Sequence, residues 1–208
     1  MDPRPSVSAR PDAPNCAWCS VLSDGQDALD RTLIESIADG DKRAMQVLYA
    51  RHNVRIYRFI EHLIGNSSVA EDLVSDVFLD AWQHASGFEA KSRVSTWLLA
   101  IARYKALSEL RRRSHEQLDE HTTASVEDPA DNPETTMQKT VRSAIIRKCL
   151  GQLSSAHREV MNLVYYQDKS IEEVAEIVGV PRSTVKTRMF YARRQLAELL
   201  REAGVDGL

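Results

Sequence analysis

The sequence predicts an all-α protein: two small helical domains joined by a flexible acidic linker. Apolar residues recur at helical spacing from Ala28 to about Arg113 and again from Val141 to about Arg201, and nothing in the first span alternates like a strand. Between them, residues 114–138 carry seven acids (Glu116, Asp119, Glu120, Glu127, Asp128, Asp131 and Glu134), no Lys or Arg, and Pro129 and Pro133. Such a composition suits a solvated connector. The predicted boundaries are a disordered tail over 1–27, a first domain over 28–113, the linker over 114–138, a second domain over 139–203 and a short tail over 204–208.

Pro3, Pro5, Pro11 and Pro14 with scattered polar residues mark the N-terminal tail. Leu29, Leu33 and Ile37 then recur every four residues and Gly40 stops that helix. A second helix is marked by Ala44, Val47 and Leu48, then Val54, Ile56, Tyr57, Ile60, Leu63 and Ile64, and ends at Gly65-Asn66. A third runs from Val69 to His84 and a fourth from Ser95 to Arg113. After the linker, Val141, Ile145, Ile146 and Leu150 resume the pattern.

The sharpest local signal lies between Ser170 and Leu200. Ser170 with Glu173 forms a capping box. Ile171, Val174, Ala175 and Val178 share one face of the helix that follows. Gly179 suits a turn that needs positive φ, and Pro181 suits the first turn of the next helix. With Val185, Met189, Ala192, Leu196 and Leu199 facing inward, Arg182, Ser183, Lys186, Thr187 and Arg188 are left on the outer face. These groups hydrogen-bond phosphates and base edges in a major groove. The pattern is a helix-turn-helix, which by itself implies only duplex DNA.

Composition bounds the rest. A chain of 208 residues with 27% charged and 43% hydrophobic residues reads as a folded soluble protein. Its net charge of −3 conceals strong segregation. The longest apolar run, Trp97 to Ala102, is far short of the ~20 residues of a membrane helix. The N-terminus lacks the apolar core of a secretory signal. Three cysteines do not make a disulfide scaffold and point to a reducing, cytoplasmic compartment. No Ser/His/Asp set, Gly-rich phosphate loop or metal triad is visible, so neither an enzyme nor a cofactor is expected.

The third helix has two chemically distinct faces. Leu73, Val74, Val77, Phe78, Ala81 and Trp82 form an apolar stripe, while Asp72, Asp76 and Asp80 recur every four residues beside Glu71. Like charges at that spacing repel by a few tenths of a kcal/mol per pair; the stripe by itself reads as a solvated acidic face, or as one whose repulsion a basic partner would offset. The segment from Lys91 to Arg113 is the opposite: Lys91, Arg93, Arg103, Lys105, Arg111, Arg112 and Arg113 stand against Glu109 alone. Phe88, Trp97 and Tyr104 are interleaved with them. Cations with aromatics suit single-stranded nucleic acid, because bases stack on rings while the backbone meets charge. Trp97, beside Leu98 and Ile101, reads by itself as core, and Arg103, Tyr104 and Lys105 as functional.

Together these residues resemble a bacterial RNA polymerase sigma factor of the extracytoplasmic-function (ECF) type, over roughly residues 28–203. Ala70 through Trp82 is similar to the family's core-binding helix, Phe88 through Arg112 to its −10 reading and melting region, and Leu153 through Leu196 to its region 4. The resemblance implies that Asp72, Leu73, Asp76, Val77, Phe78, Asp80 and Trp82 bind core RNA polymerase, at its β′ clamp. Its partners would also include the β subunit, promoter DNA and an anti-sigma factor, with no membrane insertion. Lys91, Arg93, Ser95, Thr96, Trp97, Arg103, Tyr104, Lys105, Arg111 and Arg112 would bind the −10 element. Arg182, Ser183, Thr184, Lys186, Thr187, Arg188 and Arg193 would bind the −35 element. Many members carry Asn where this chain has Tyr104; two readings stand, a ring that stacks on the base and shifts −10 preference, or one that packs against the protein.

Two rival readings stand beside this one. A stand-alone helix-turn-helix regulator would bind duplex DNA unaided, yet has no need of the Asp72/Asp76/Asp80 helix. A thiol or metal sensor would use the Cys16-Ala-Trp-Cys19 pair, although zinc needs two further ligands that no second CxxC or nearby His pair supplies. Cys149, in an apolar helical pattern, reads as a buried small side chain.

Overall fold

The computed structural model describes residues 17–119, 145–146 and 148–204, and its regular elements are helices throughout those residues. Four helices make the N-terminal half: α1 (Ala17–Ala38), α2 (Lys42–Ile64), α3 (Ser67–His84) and α4 (Val94–Asp119). A 3-10 turn at Ala85–Gly87 leads from α3 towards α4. Among the described residues the C-terminal half then carries a short helical stretch over 148–151 and the helices α5 (Ser155–Tyr165), α6 (Ile171–Val178) and α7 (Arg182–Glu202).

Local chemistry sets the ends. The Asp41 carboxylate accepts from the Arg43 N–H at the start of α2. Gly65 closes that helix at φ 70°, ψ 22°, a left-handed position where any Cβ is strained. Asn66 accepts from the Val69 N–H and opens α3. The start of α4 is capped from far away, as the Val94 N–H donates to Asp27 Oδ1 at 3.0 Å.

Two boundaries differ from the sequence reading. Helix α1 begins at Ala17, within the stretch read as tail, and α4 continues to Asp119, past the expected start of the linker. Residues 1–16 and 120–138, which hold most of both predicted segments, lie outside the described residues.

The phase of α1 differs as well. Leu29 is exposed, and the inward face is Asp30, Ile34 and Ile37, at i, i+4 and i+7. A count of apolar residues passes over that register because its first member is a carboxylate. Asp30 accepts from Arg51 Nη1 at 2.8 Å and lies 2.7 Å from His52 Nε2, both on α2. The bundle closes around Leu48, Ile56, Phe59, Val77, Leu98 and Leu99.

In the C-terminal half, Val160 and Leu163 of α5, Val174 and Ile177 of α6, and Val185 and Met189 of α7 form the core. Cys149, in the helical segment 148–151, is buried. The two halves touch: α6 lies along α4, and α5 meets α2. Their buried apolar side chains form one continuous cluster.

Candidate nucleic-acid and polymerase interfaces

Helix α3 presents its acids at the surface. Asp72 and Asp76 are exposed, and Leu79 on the same helix is 55% exposed. Asp80 is half-buried, pairing with Lys105 Nζ at 2.9 Å and His84 Nδ1 at 2.7 Å. Leu73, Val77 and Phe78, expected with the acids at the polymerase, are instead buried in the bundle. Phe78 meets the half-exposed Tyr49 ring of α2 at a centroid distance of 4.8 Å. Trp82 is half-buried against the core. Tyr49, on a different helix from the acids, had no sequence signal linking it to them.

The residues expected at the −10 element, on α4 and in the segment just before it, divide into three groups. Tyr104 is 68% exposed, and Arg111 is exposed. Lys91 is exposed and paired with Glu89. Trp97 is half-buried with its ring 5.1 Å from that of Phe88, and Arg93 is half-buried near the start of the helix. Lys105 is tied back to Asp80. Arg112 and Arg113 both donate to Glu109, and the Arg112 hydrogen bond leads in holding the Glu109 carboxyl down to about 2.

The third group is engaged by the C-terminal half. Arg103 Nε donates to Glu159 Oε1 at 2.6 Å, and its Nη2 donates to Oε2 at 3.4 Å. Lys169 Nζ donates to Ser95 Oγ at 2.7 Å and to Thr96 Oγ1 at 3.0 Å, while Thr96 Oγ1 donates to Glu173 Oε1 at 2.7 Å. Thr96 is fully buried, and the Lys169 side chain is 3% exposed. Burial pushes the Lys169 ammonium down from its ordinary value against the pull of Glu173. Burial pushes the Glu173 carboxyl up, but Lys169, the Ser170 N–H and Thr96 outweigh it and the carboxyl ends lowered.

The helix-turn-helix forms as its sequence suggests. The Ser170 side chain accepts from the Glu173 N–H, and Glu173 Oε2 accepts from the Ser170 N–H at 3.0 Å. Gly179 sits at φ 71°, ψ 37°, and Pro181 precedes the first turn of α7. Arg182, Ser183, Lys186 and Thr187 are exposed along the start of α7, with Thr184 and Arg188 half-buried. Arg182 also reaches Glu172 at 3.4 Å. Arg193, further along, donates to the Tyr165 hydroxyl at 2.9 Å and stands over that ring.

Among the described residues no group of three or more His, Cys, Asp or Glu is placed to hold a metal ion. Cys16 lies outside them, and Cys19 falls in the first turn of α1. No described helix is long and apolar enough to cross a membrane.

Comparison with known proteins decides the family. The Sigma-70 region 2 model matches residues 48–116, and the Sigma-70 region 4 model matches residues 149–198. The chain is 31% identical to the ECF RNA polymerase sigma factor SigL of Mycobacterium tuberculosis, over 83% of this chain and 97% of that protein. The chain belongs to the ECF RNA polymerase sigma factors. ECF sigma factor SigM of the same species is 31% identical over 90% of this chain and 93% of its own length.

Two solved relatives share the fold of this sigma factor. RpoE of Bartonella quintana, in complex with the anti-sigma factor NepR, has a TM-score of 0.64 and 29% identity, covering 78% of this chain and 98% of that one. CnrH, in complex with the cytosolic domain of CnrY, has a TM-score of 0.63 and 26% identity, covering 84% and 98%. Helices α2 to α4 thus carry region 2, and α5 to α7 carry region 4. Region 4 residues Glu159, Lys169 and Glu173, which reach across to region 2, lay outside the sequence-predicted site. Glu159 carried a signal only as part of the region 4 resemblance and Glu173 only as the capping-box acid, neither pointing to region 2, and Lys169 carried none.

Proposed function

We propose that this sigma factor docks on the β′ clamp of core RNA polymerase through the acidic face of α3. It then reads the −10 element with α4 and the −35 duplex with α7. The observation that carries this reading is the sorting of charge onto separate helix faces. Asp72 and Asp76 stand exposed on α3, whereas Arg182, Lys186 and their hydroxyl neighbours stand exposed on α7. Acidic and basic faces on one chain suit two partners of opposite charge, a basic protein surface and DNA.

On α7, Arg and Lys meet phosphates or guanine, and Ser183, Thr184 and Thr187 meet phosphates. On α4 and in the segment just before it, Trp97 and Tyr104 offer rings, and Lys91, Arg93, Arg103 and Lys105 offer charge to the strand released as the −10 element opens. A base leaving its stack costs a few kcal/mol, which stacking on the protein offsets. The exposed ring of Tyr104 supports stacking on such a base rather than reading of its edge. Polymerisation belongs to the core enzyme, so the sigma factor itself carries no covalent chemistry and works in the cytoplasm. Control by an anti-sigma factor is supported by the two solved relatives, one bound to NepR and the other to the cytosolic domain of CnrY.

Run-off transcription on pooled genomic promoter fragments, with core polymerase and with or without the protein, tests this reading. Transcripts that require the protein and vanish in an Asp72→Ala/Asp76→Ala/Asp80→Ala variant are the expected result. Sequence-specific duplex binding by the free chain with no protein-dependent transcript would replace it with a stand-alone regulator.

A further inference from the structure

The seam between regions 2 and 4 has features of a latch. Lys169 follows Asp168, whose φ of 50° is in the left-handed region where Asp is tolerated better than most side chains. This turn joins α5 to α6, and the Lys169 ammonium ends 2.7 Å from Ser95 Oγ and 3.0 Å from Thr96 Oγ1 at the first turn of α4. Glu173 closes the group by accepting from both Lys169 and Thr96. Eight residues after Ser95, Arg103 makes its paired hydrogen bonds to the buried Glu159. Arg55 of α2 adds an outer ion pair with Asp168 at 3.4 Å.

A buried charge is tolerated where its geometry is good and its remaining donors are satisfied, and removing one partner then leaves an uncompensated charge. Here the ammonium has three oxygen partners, the number of its donors. The carboxylate of Glu173 caps its own helix with one oxygen and binds across the seam with the other. Ser95, Thr96 and Arg103 are thereby occupied, while Arg182, Ser183, Lys186 and Thr187 remain open to solvent.

We propose that the free sigma factor rests in a closed state. In it the Lys169–Glu173–Thr96 cluster and the Arg103–Glu159 pair clamp α6 over the −10 face of α4, and strand capture requires the seam to open. This rests on the assignment of α4 to the −10 element, and it makes region 4 an internal cover for region 2. A strand-binding face occupied from within binds with an affinity reduced by the fraction of open molecules. The clamp thus holds the unassembled protein off single strands.

Amine labelling of the full-length free chain tests the closed state directly. With a succinimidyl ester at neutral pH, read by mass spectrometry, Lys169 is expected to react at least tenfold more slowly than exposed Lys186, the difference set by the closed fraction. Glu159→Arg, which opposes Arg103 with a like charge, is expected to bring Lys169 to within about twofold of Lys186, to enlarge the radius of gyration in solution scattering, and to raise affinity for random-sequence 12-nucleotide single strands roughly tenfold. Glu159→Gln, which keeps the shape of the side chain, gives a smaller shift in the same direction and guards against misfolding of the charge reversal.

Equal labelling of Lys169 and Lys186 in the unaltered protein would overturn the closed state. Continued protection of Lys169 in both folded variants would overturn the clamp. Increased labelling and size without tighter strand binding would overturn the role of the seam as a cover. Labelling and scattering require no polymerase, so their outcome is separate from that of the run-off assay.

Discussion

Lys169 and Thr96 are 73 residues apart in sequence and 3.0 Å apart in space, and their hydrogen bond joins the turn before α6 to the first turn of α4. Neither side chain is open to solvent: Lys169 is 6% exposed as a residue and Thr96 0%. Burying an ammonium is costly unless oxygen atoms replace its water. Ser95, Thr96 and Glu173 provide that replacement. The contact therefore couples the two regions through a polar group, which demands a defined geometry, as well as through apolar packing.

Thr96→Val tests that coupling with little change of shape. The Thr96 hydroxyl donates to Glu173 and accepts from Lys169, so its loss weakens two buried hydrogen bonds at once. The expected cost is about 1–3 kcal/mol. Urea unfolding monitored by far-ultraviolet circular dichroism should show a lower midpoint, and an unchanged midpoint would mean that the hydroxyl is dispensable.

Asp30 links stability to pH. Burial pushes its carboxyl up, but hydrogen bonds from His52 and Arg51 outweigh that, and the carboxyl ends below its ordinary value. The unfolded chain then binds more protons than the native one between the two values, so stability falls as pH drops through the ordinary carboxylate range towards the lowered folded value. Above that window the contribution is fully present. Asp30→Asn is expected to cost about 3 kcal/mol at pH 7, because it leaves His52 and Arg51 without their anion. Urea titrations of both proteins from pH 7 to pH 3 check this: the variant should lose less stability on acidification than the unaltered protein.

The helix-turn-helix was legible almost residue by residue because its signals are local. Ser170 with Glu173, Gly179 and Pro181 each act within one turn of chain, and each does so in the structure. Region 2 was legible as helices but not in phase. The inward face of α1 starts with Asp30, whose partners lie on α2, and no apolar pattern encodes a buried carboxylate. The beginning of α1 was hidden for a related reason: Asp27, in the apparent tail, caps α4 at Val94. The seam was hidden altogether, since Glu159 and Lys169 have the sequence appearance of surface charges until a partner 56 or 73 residues away is known.

On α3, the fold and the docking surface should separate under mutation. Asp72 and Asp76 are exposed, so Asp72→Ala/Asp76→Ala should change stability by only about 0.5 kcal/mol per site. Affinity for core polymerase should fall roughly tenfold or more, with most of the loss at low ionic strength, where unscreened charge acts furthest. Fluorescence anisotropy of labelled protein titrated with core enzyme measures this. Equal affinity at low salt would remove α3 from the docking surface.

Lys186 provides the corresponding test on α7. It is exposed near the start of the helix, where a flexible ammonium meets phosphate as a point charge rather than reading a base. Lys186→Ala should therefore weaken holoenzyme binding to different −35 sequences by a similar factor. It should also reduce the slope of log affinity against log salt by about one. Arg182→Ala at the helix start is the contrasting variant, since a guanidinium can pair with guanine and its loss should relax preference at one base position. Holoenzyme binding to a panel of single-base −35 variants at three salt concentrations resolves the two effects. A sequence-selective loss for Lys186→Ala would make it a base-reading residue instead.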